Sequence, residues 1–137
     1  MTAFHHACEE GHLEVAKMIM QRSAELKIEL NSENNDGNTG FHLAAIHDRA
    51  NIVEMIIHKS SELKIDIDSK SFCGWTAFHW ACYGGYEEVV QIIKNNIKYF
   101  KENILRIQDN DGKTGYQIAK ENKQYKVLEV LLKRNQR

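Results

Sequence analysis

Histidines and cysteines are the side chains in this sequence that could hold a metal ion. The 137 residues include seven histidines and three cysteines. A zinc site needs Cys or His ligands at short, paired spacings. Cys73 and Cys82 lie nine residues apart, however, and the adjacent His5 and His6 have no Cys or carboxylate partner at such a spacing. We therefore expect no metal and no cofactor.

The residue patterns of common catalytic sites are missing as well. The sequence has neither a glycine-rich phosphate loop nor a Gly-x-Ser-x-Gly nucleophile turn. The carboxylates of Glu9-Glu10 and of Glu87-Glu88 are adjacent in sequence, so each pair points in different directions along a helix and cannot act as a couple. The sequence predicts a protein that is not an enzyme.

The cysteines indicate a reducing compartment. Their odd number and irregular spacing do not fit a disulfide framework. Cys8 and Cys82 follow alanines in apolar segments, and we expect them in the core, whereas Cys73 lies in a polar turn and should be exposed. The N-terminus lacks the pattern of a secretory signal, and no apolar stretch reaches the roughly 18 residues of a membrane span. The expected location is intracellular, either cytoplasmic or nuclear.

Three of the histidines, His5, His42 and His79, hold the same position in a sequence motif that the chain repeats four times. The copies begin at Thr2, Thr39, Thr76 and Thr114, which lie 37, 37 and 38 residues apart. A fixed period of about 20–50 residues indicates an array of stacked repeats. Each copy reads as a polar turn, a short helix, a second turn and a second helix, because apolar residues recur at helical spacing after the threonine. The sequence therefore predicts an all-α fold.

The repeated threonines and histidines have a structural explanation. A threonine before an apolar-periodic run is a good helix N-cap, and the histidine three residues later stands where Glu or Gln completes a capping box. We expect these side chains to cap helices and brace loops rather than to bind metal. The predicted structural residues are Thr2, His5, Thr39, His42, Thr76, His79 and Thr114, with Gln117 in place of the fourth histidine.

The repeated motif resembles the ankyrin repeat family. The third copy matches the family pattern at Gly74, Thr76, His79, Ala81, Gly85, Glu88, Val89 and Val90. The resemblance implies an ankyrin repeat solenoid of stacked helix–turn–helix units joined by short hairpins or turns. It implies one domain over 1–137, with repeats at 1–33 (partial), 34–70 and 71–108 and a C-terminal cap at 109–137. Because the first repeat starts directly at its threonine, we expect a segment of a longer array.

The chain departs from the family pattern in three ways. The proline that follows the threonine is Ala or Gly in all four copies. The period is near 37 rather than 33, and we expect the extra residues to lengthen the second helix or the loop that leaves it. Asp48 replaces a glycine between the helices of the second repeat, where a left-handed conformation is expected.

The resemblance implies a protein-binding module whose concave face is formed by turn tips and first helices. The expected partner-binding residues are Asn35, Asp36, Asn38, Ile46, His47, Phe72, Trp75, Trp80, Tyr83, Asn110, Asp111 and Lys113. The third repeat stands out because we expect its turn and first helix to bring Phe72, Trp75 and Tyr83 close together, and large aromatic side chains often anchor interfaces. The alternative is that the two tryptophans pack against the next repeat and that Tyr83 covers a helix end; for Trp80 we favour packing.

The remaining predictions concern the partner. Residues 1–68 carry 6 basic and 12 acidic side chains, and residues 69–137 carry 12 and 7. The lysines of the second half are spread around their helices, so we expect neither nucleic acid nor membrane as a partner. We expect a monomer, with weak self-association through the uncapped N-terminal repeat as an alternative. A second reading is a regulatory or targeting segment of a larger enzyme, channel or effector.

Overall fold

A computed structural model describes residues 1–133, and these residues form helices and turns without a β-strand. The α-helices are α1 (Ala3–Glu10), α2 (Leu13–Gln21), α3 (Ser23–Leu26), α4 (Gly40–Ile46), α5 (Ala50–Leu63), α6 (Ala77–Gly84), α7 (Glu87–Asn95), α8 (Gly115–Glu121) and α9 (Tyr125–Leu132). Short 3-10 turns cover Ile97–Tyr99 and Ile104–Arg106. The predicted all-α class is confirmed.

The helices form two parallel rows. The first helices of successive repeats pack in the order α1, α4, α6 and α8, and the second helices pack in the order α2, α5, α7 and α9. Each first helix also packs on the second helix of its own repeat. The buried apolar face of each helix is therefore closed by a neighbouring repeat, as expected for a solenoid.

A capping box begins each first helix. In the second repeat the hydroxyl of Thr39 accepts a hydrogen bond from the backbone N–H of His42, and the ring of His42 accepts one from the backbone N–H of Thr39. The same reciprocal pair forms at Thr2 and Thr76 with their histidines, and at Thr114 with Gln117. Two backbone N–H groups that a helix start leaves unpaired are satisfied at every level of the stack.

Close packing between first helices explains glycines that replace the family's proline. A methyl group added at Gly40 would lie 2.7 Å from Cε2 of Phe4, in the preceding repeat. One added at Gly115 would lie 2.5 Å from Cε2 of Phe78. The buried phenylalanine rings fill the space that a larger residue at the start of the next helix would need.

The extra residues of the long period are used in three different ways. In the first repeat the second helix ends at Gln21, and the separate helix α3 follows after Arg22. In the second repeat α5 continues unbroken for 14 residues. In the third repeat α7 is followed by the 3-10 turn Ile97–Tyr99. The expectation that these residues extend the second helix or its exit is confirmed.

The connection between the two helices of a repeat always contains a left-handed residue. The four positions are Gly11, Asp48, Gly85 and Lys123, with φ between 56° and 78°. The predicted conformation of Asp48, with φ 59°, is confirmed. The backbone conformation of this connection is thus the same in every repeat, even where the residue type changes.

Candidate functional site

Three buried histidines, which we call the histidine ladder, tie each repeat to its neighbouring loop. In His5, His42 and His79 the ring Nδ1 accepts a hydrogen bond from the backbone N–H of the capping threonine at 2.9–3.1 Å. Since Nδ1 accepts, Nε2 carries the proton, and it donates to a backbone carbonyl of the following loop. Those carbonyls belong to Ser32, Ser69 and Lys113, at distances of 2.7, 2.9 and 3.0 Å.

Burial keeps two members of the ladder, His42 and His79, neutral. It lowers the pKa of His42 to about 4, although nearby backbone carbonyls and the carboxylate of Asp66 act in the opposite direction. Burial likewise lowers the pKa of His79. A neutral ring that uses both nitrogens within the fold has a structural role, and within residues 1–133 no group of three or more His, Cys, Asp or Glu side chains could hold a metal ion.

The cysteines divide as the sequence predicts. Cys8 and Cys82 are fully buried, whereas Cys73 is exposed. Burial raises the pKa of the Cys8 thiol to about 12 and also raises the pKa of Cys82. Neither buried sulfur has the thiolate character that a nucleophile needs.

The turn tips and the exposed positions of the first helices present side chains that change from repeat to repeat. We call this region the front surface and define it as 34–38, 71–75 and 109–113 together with α1, α4, α6 and α8. The three turns close in the same way, with a hydrogen bond between residues four apart: Asn34 to Asn38, Ser71 to Trp75 and Asp109 to Lys113. A repeated backbone therefore carries varied side chains.

Trp75, Trp80 and Tyr83 form an aromatic cluster at the centre of the front surface. The ring centroids of Trp75 lie 4.5 Å from Trp80 and 5.4 Å from Tyr83, and those of Trp80 and Tyr83 lie 6.5 Å apart. Tyr83 is 50% exposed, and both tryptophans are half-buried. Such edge-to-face packing fixes the rings, so their outer faces are available to a partner at a low entropy cost.

Trp75 is held from the next repeat. Its Nε1 donates to Oδ2 of Asp109 at 2.8 Å, while Oδ1 of Asp109 accepts from the backbone N–H groups of Asp111 and Lys113. Burial disfavours the charge of this carboxylate, but the hydrogen bonds outweigh it and lower the pKa of Asp109. The charged carboxylate organises the turn at 109–113 and positions the indole of Trp75. This contact agrees with the alternative in which Trp75 packs against the next repeat.

Trp80 is half-buried, and its polar atom lies inside the protein. Its Nε1 is buried, and the described residues offer it no hydrogen-bond acceptor. Its ring contacts are with Trp75 and Tyr83 of its own repeat, so packing of Trp80 against the next repeat stays a prediction. Tyr83, which is 50% exposed, is the most exposed ring of the cluster.

Phe72 lies apart from the other aromatic residues. Its side chain is 69% exposed, and its ring lies over Gly37, where an added methyl group would be 2.5 Å from Cδ1 of Phe72. It makes no ring pair with Trp75, Trp80 or Tyr83 among the aromatic contacts of residues 1–133. The expectation that Phe72 joins these rings is corrected.

The other predicted contact residues have different surroundings. His47 is exposed, and its Nε2 lies 3.4 Å from Oε1 of Glu9, while Lys113 forms a 2.8 Å ion pair with Glu121. Exposed positions on the front surface include Asn35, Asp36, Asn110 and Asp111, and Ile46 is half-buried. Asn38 is a correction, since it is only 5% exposed. Both of its backbone polar groups bond to Asn34 and close the turn, which draws its side chain inward.

Lys94 has a role that the sequence did not reveal. The sequence predicts that it is one of the dispersed lysines of the second half, but it is buried. Its Nζ donates to the backbone carbonyls of Val130 and Lys133 at 2.7 and 2.5 Å. A cation at this position pairs with carbonyls that the end of α9 leaves unpaired, and it interacts favourably with the negative end of the α9 dipole. Because the stabilised helix lies in the next repeat, no local pattern could have predicted this contact.

Comparison with known proteins identifies the fold family. The family described as ankyrin repeats (3 copies) matches residues 1–71 and 61–137. The chain belongs to the ankyrin repeat family, whose members are generally non-catalytic protein–protein interaction modules. A search of curated proteins returned no match. None of the helices within residues 1–133 combines the length and the apolar character needed to cross a membrane.

Proposed function

We propose that this chain is a non-catalytic module that binds a protein segment on its front surface. The aromatic cluster carries the proposal, because it places a half-exposed tyrosine and a fixed tryptophan on the face that the family resemblance assigns to partner binding. Rigid aromatic anchors surrounded by polar groups are typical of interface hot spots. The proposal holds whether the module acts alone or positions another domain of a longer protein.

The other front-surface residues surround this anchor. Ile46 precedes Tyr83 by 37 residues, and Glu121 follows it by 38, so the three occupy equivalent places on successive first helices. The contact of Glu9 with His47 and the ion pair of Lys113 with Glu121 lie on either side of the third repeat. A segment laid across the stack would contact an apolar centre with a polar rim.

The test compares capture of partners by the unchanged chain, by the single variants Trp75→Ala and Tyr83→Ala, by the double variant and by the control Tyr125→Ala. Tyr125 is a suitable control because it is 68% exposed but lies on α9, away from the front surface. For a captured protein we expect each single front-surface substitution to weaken binding by roughly 1–3 kcal/mol, measured by calorimetry. The control should bind as the unchanged chain does.

Circular dichroism and thermal melting establish that each variant is folded. If a captured protein binds all the folded variants with the same affinity, the aromatic cluster is not the binding site. If Tyr125→Ala alone weakens binding, the partner occupies the face of the second helices, and the proposal is wrong.

A further inference from the structure

The front surface is acidic although the whole chain is nearly neutral. Its turns and first helices carry six carboxylates and two lysines, while the rest of the chain carries 13 acidic and 16 basic side chains. The carboxylates belong to Glu9, Glu10, Asp36, Asp109, Asp111 and Glu121. The excess negative charge therefore lies on the face that bears the aromatic cluster, whereas positive charge predominates elsewhere.

The two lysines do little to neutralise this face. Lys113 already pairs with Glu121 at 2.8 Å. Lys120 occupies the position that Cys8 and Cys82 hold in other repeats, and those residues face the following repeat. It therefore faces the C-terminal end of the stack rather than the front. Exposed carboxylates remain on two of the three turns, at Asp36 in 34–38 and at Asp111 in 109–113.

The rings of the aromatic cluster are suited to stacking from outside. The 4.5 Å separation of the Trp75 and Trp80 centroids leaves no space between these rings for a ligand group. The outer faces of Trp75 and Tyr83 can still accept a planar cation. Guanidinium groups stack on aromatic faces more readily than ammonium groups do, and they also pair with carboxylates.

We propose that the protein segment bound at the front surface is basic and that one of its arginines stacks on Trp75 or Tyr83. This inference rests on the proposed function and adds the chemistry of the partner. Neighbouring basic side chains of the segment would face the exposed carboxylates of Asp36 and Asp111. Charge complementarity of this kind steers association and selects among partners.

The two tryptophans of the chain make a direct measurement possible. Both belong to the aromatic cluster, so their fluorescence reports on this site alone. The probes are three synthetic 12-residue peptides of glycine and serine that contain four arginines, four lysines or four glutamates. We expect saturable changes in emission with the arginine peptide, about five- to thirtyfold weaker binding of the lysine peptide, and no binding of the glutamate peptide.

Matched variants locate the interaction. Tyr83→Ala and Asp36→Asn/Asp111→Asn should each weaken binding of the arginine peptide severalfold, and added salt should weaken it further. The control Glu54→Gln/Glu129→Gln removes two exposed carboxylates from α5 and α9 and should leave binding unchanged. Equal binding of all three peptides, an equal loss in the control, or no saturable binding overturns the inference.

The capture experiment separates this inference from the proposed function. If a captured protein depends on Trp75 and Tyr83 but its contacting segment is neutral or acidic, the proposed function stands and the basic partner is wrong. If the arginine peptide binds and captured proteins ignore both residues, the peptide has found a charged surface that no protein partner uses, and both proposals fail.

Discussion

The histidine ladder and the front surface show opposite behaviour along the same four repeats. In the ladder His5, His42 and His79 make the same hydrogen bonds at successive levels. On the front surface, equivalent places on the first helices hold Glu9, Ile46, Tyr83 and Glu121. Repetition therefore marks the residues that build the stack, and variation marks the surface that is available for recognition.

Breaking the ladder should have the largest effect on stability. His42→Ala removes the acceptor of the Thr39 N–H and the donor to the Ser69 carbonyl, and it leaves a cavity. We expect a loss of about 2–4 kcal/mol in the free energy of unfolding, measured by urea denaturation. His42→Gln should lose less, since Gln117 forms the same capping box in the fourth repeat.

The exposed His6 provides the control for this prediction. His6→Ala should change stability by less than about 0.5 kcal/mol. Equal effects of His6→Ala and His42→Ala would show that the ladder does not contribute to stability beyond an ordinary surface residue.

Acid should weaken the ladder without a mutation. The pKa of His42 is about 4 in the folded chain, against an ordinary value of 6.5, so between these values the unfolded chain binds a proton that the folded chain does not. The stabilising contribution is therefore complete above pH 6.5 and is lost as the pH falls toward 4. Its size is about 3 kcal/mol, and urea denaturation at several pH values measures it.

The variant His42→Gln isolates this effect from other titrating groups. The carboxyl pKa values of Asp48 and Asp68 are raised, chiefly by burial, and both groups remain in the variant. The stability difference between the two chains should shrink as the pH falls. A difference that stays constant from pH 7 to pH 4 would mean that His42 titrates normally in the fold.

The packing between first helices gives a smaller effect. Gly40→Ala places a methyl group against the ring of Phe4 and within 3.1 Å of Cys8 Sγ. Overpacking of a core costs about 1–3 kcal/mol, but alanine favours a helix over glycine by up to about 1 kcal/mol. We expect a net loss of about 1–2 kcal/mol in chemical denaturation.

A double-mutant cycle tests the assigned cause. Phe4→Leu removes part of the ring that the new methyl group meets, so Gly40→Ala should cost less in the Phe4→Leu background than in the unchanged chain. If the cost is the same in both backgrounds, contact with Phe4 does not explain the glycine.

What the sequence could predict follows the same division between repeated and unique features. The helical pairs and the threonine caps depend on residues near in sequence, and the period shows each of them four times. The left-handed Asp48 was predictable because glycine holds the equivalent position in neighbouring repeats. Contacts between repeats were harder to predict from the sequence. The burial of Asn38 and the contact of Phe72 with Gly37 depend on how a turn packs against neighbouring parts of the chain.

The aromatic cluster was predicted only in part. Trp75 and Tyr83 come together as expected because Trp75 precedes α6 and Tyr83 lies in the last turn of the same short helix. The contact of Trp75 with Asp109 crosses 34 residues, and Lys94 reaches the end of a helix 36 to 39 residues away. Side chains that bridge repeats leave no periodic signal when only one repeat carries them.

The smallest expected effect concerns the left-handed residues that end two of the helices. Lys27 and Lys64 end helices in the left-handed conformation, with φ of 55° and 58°. Glycine adopts this conformation without the steric penalty of a Cβ atom, although it costs more entropy on folding. Lys64→Gly should therefore stabilise the chain by up to about 1 kcal/mol, seen as a higher urea midpoint. Lys59→Gly, in the interior of α5, should instead destabilise it by about 0.5–1 kcal/mol; a loss in both variants would show that Lys64 contributes through its side chain rather than through its backbone.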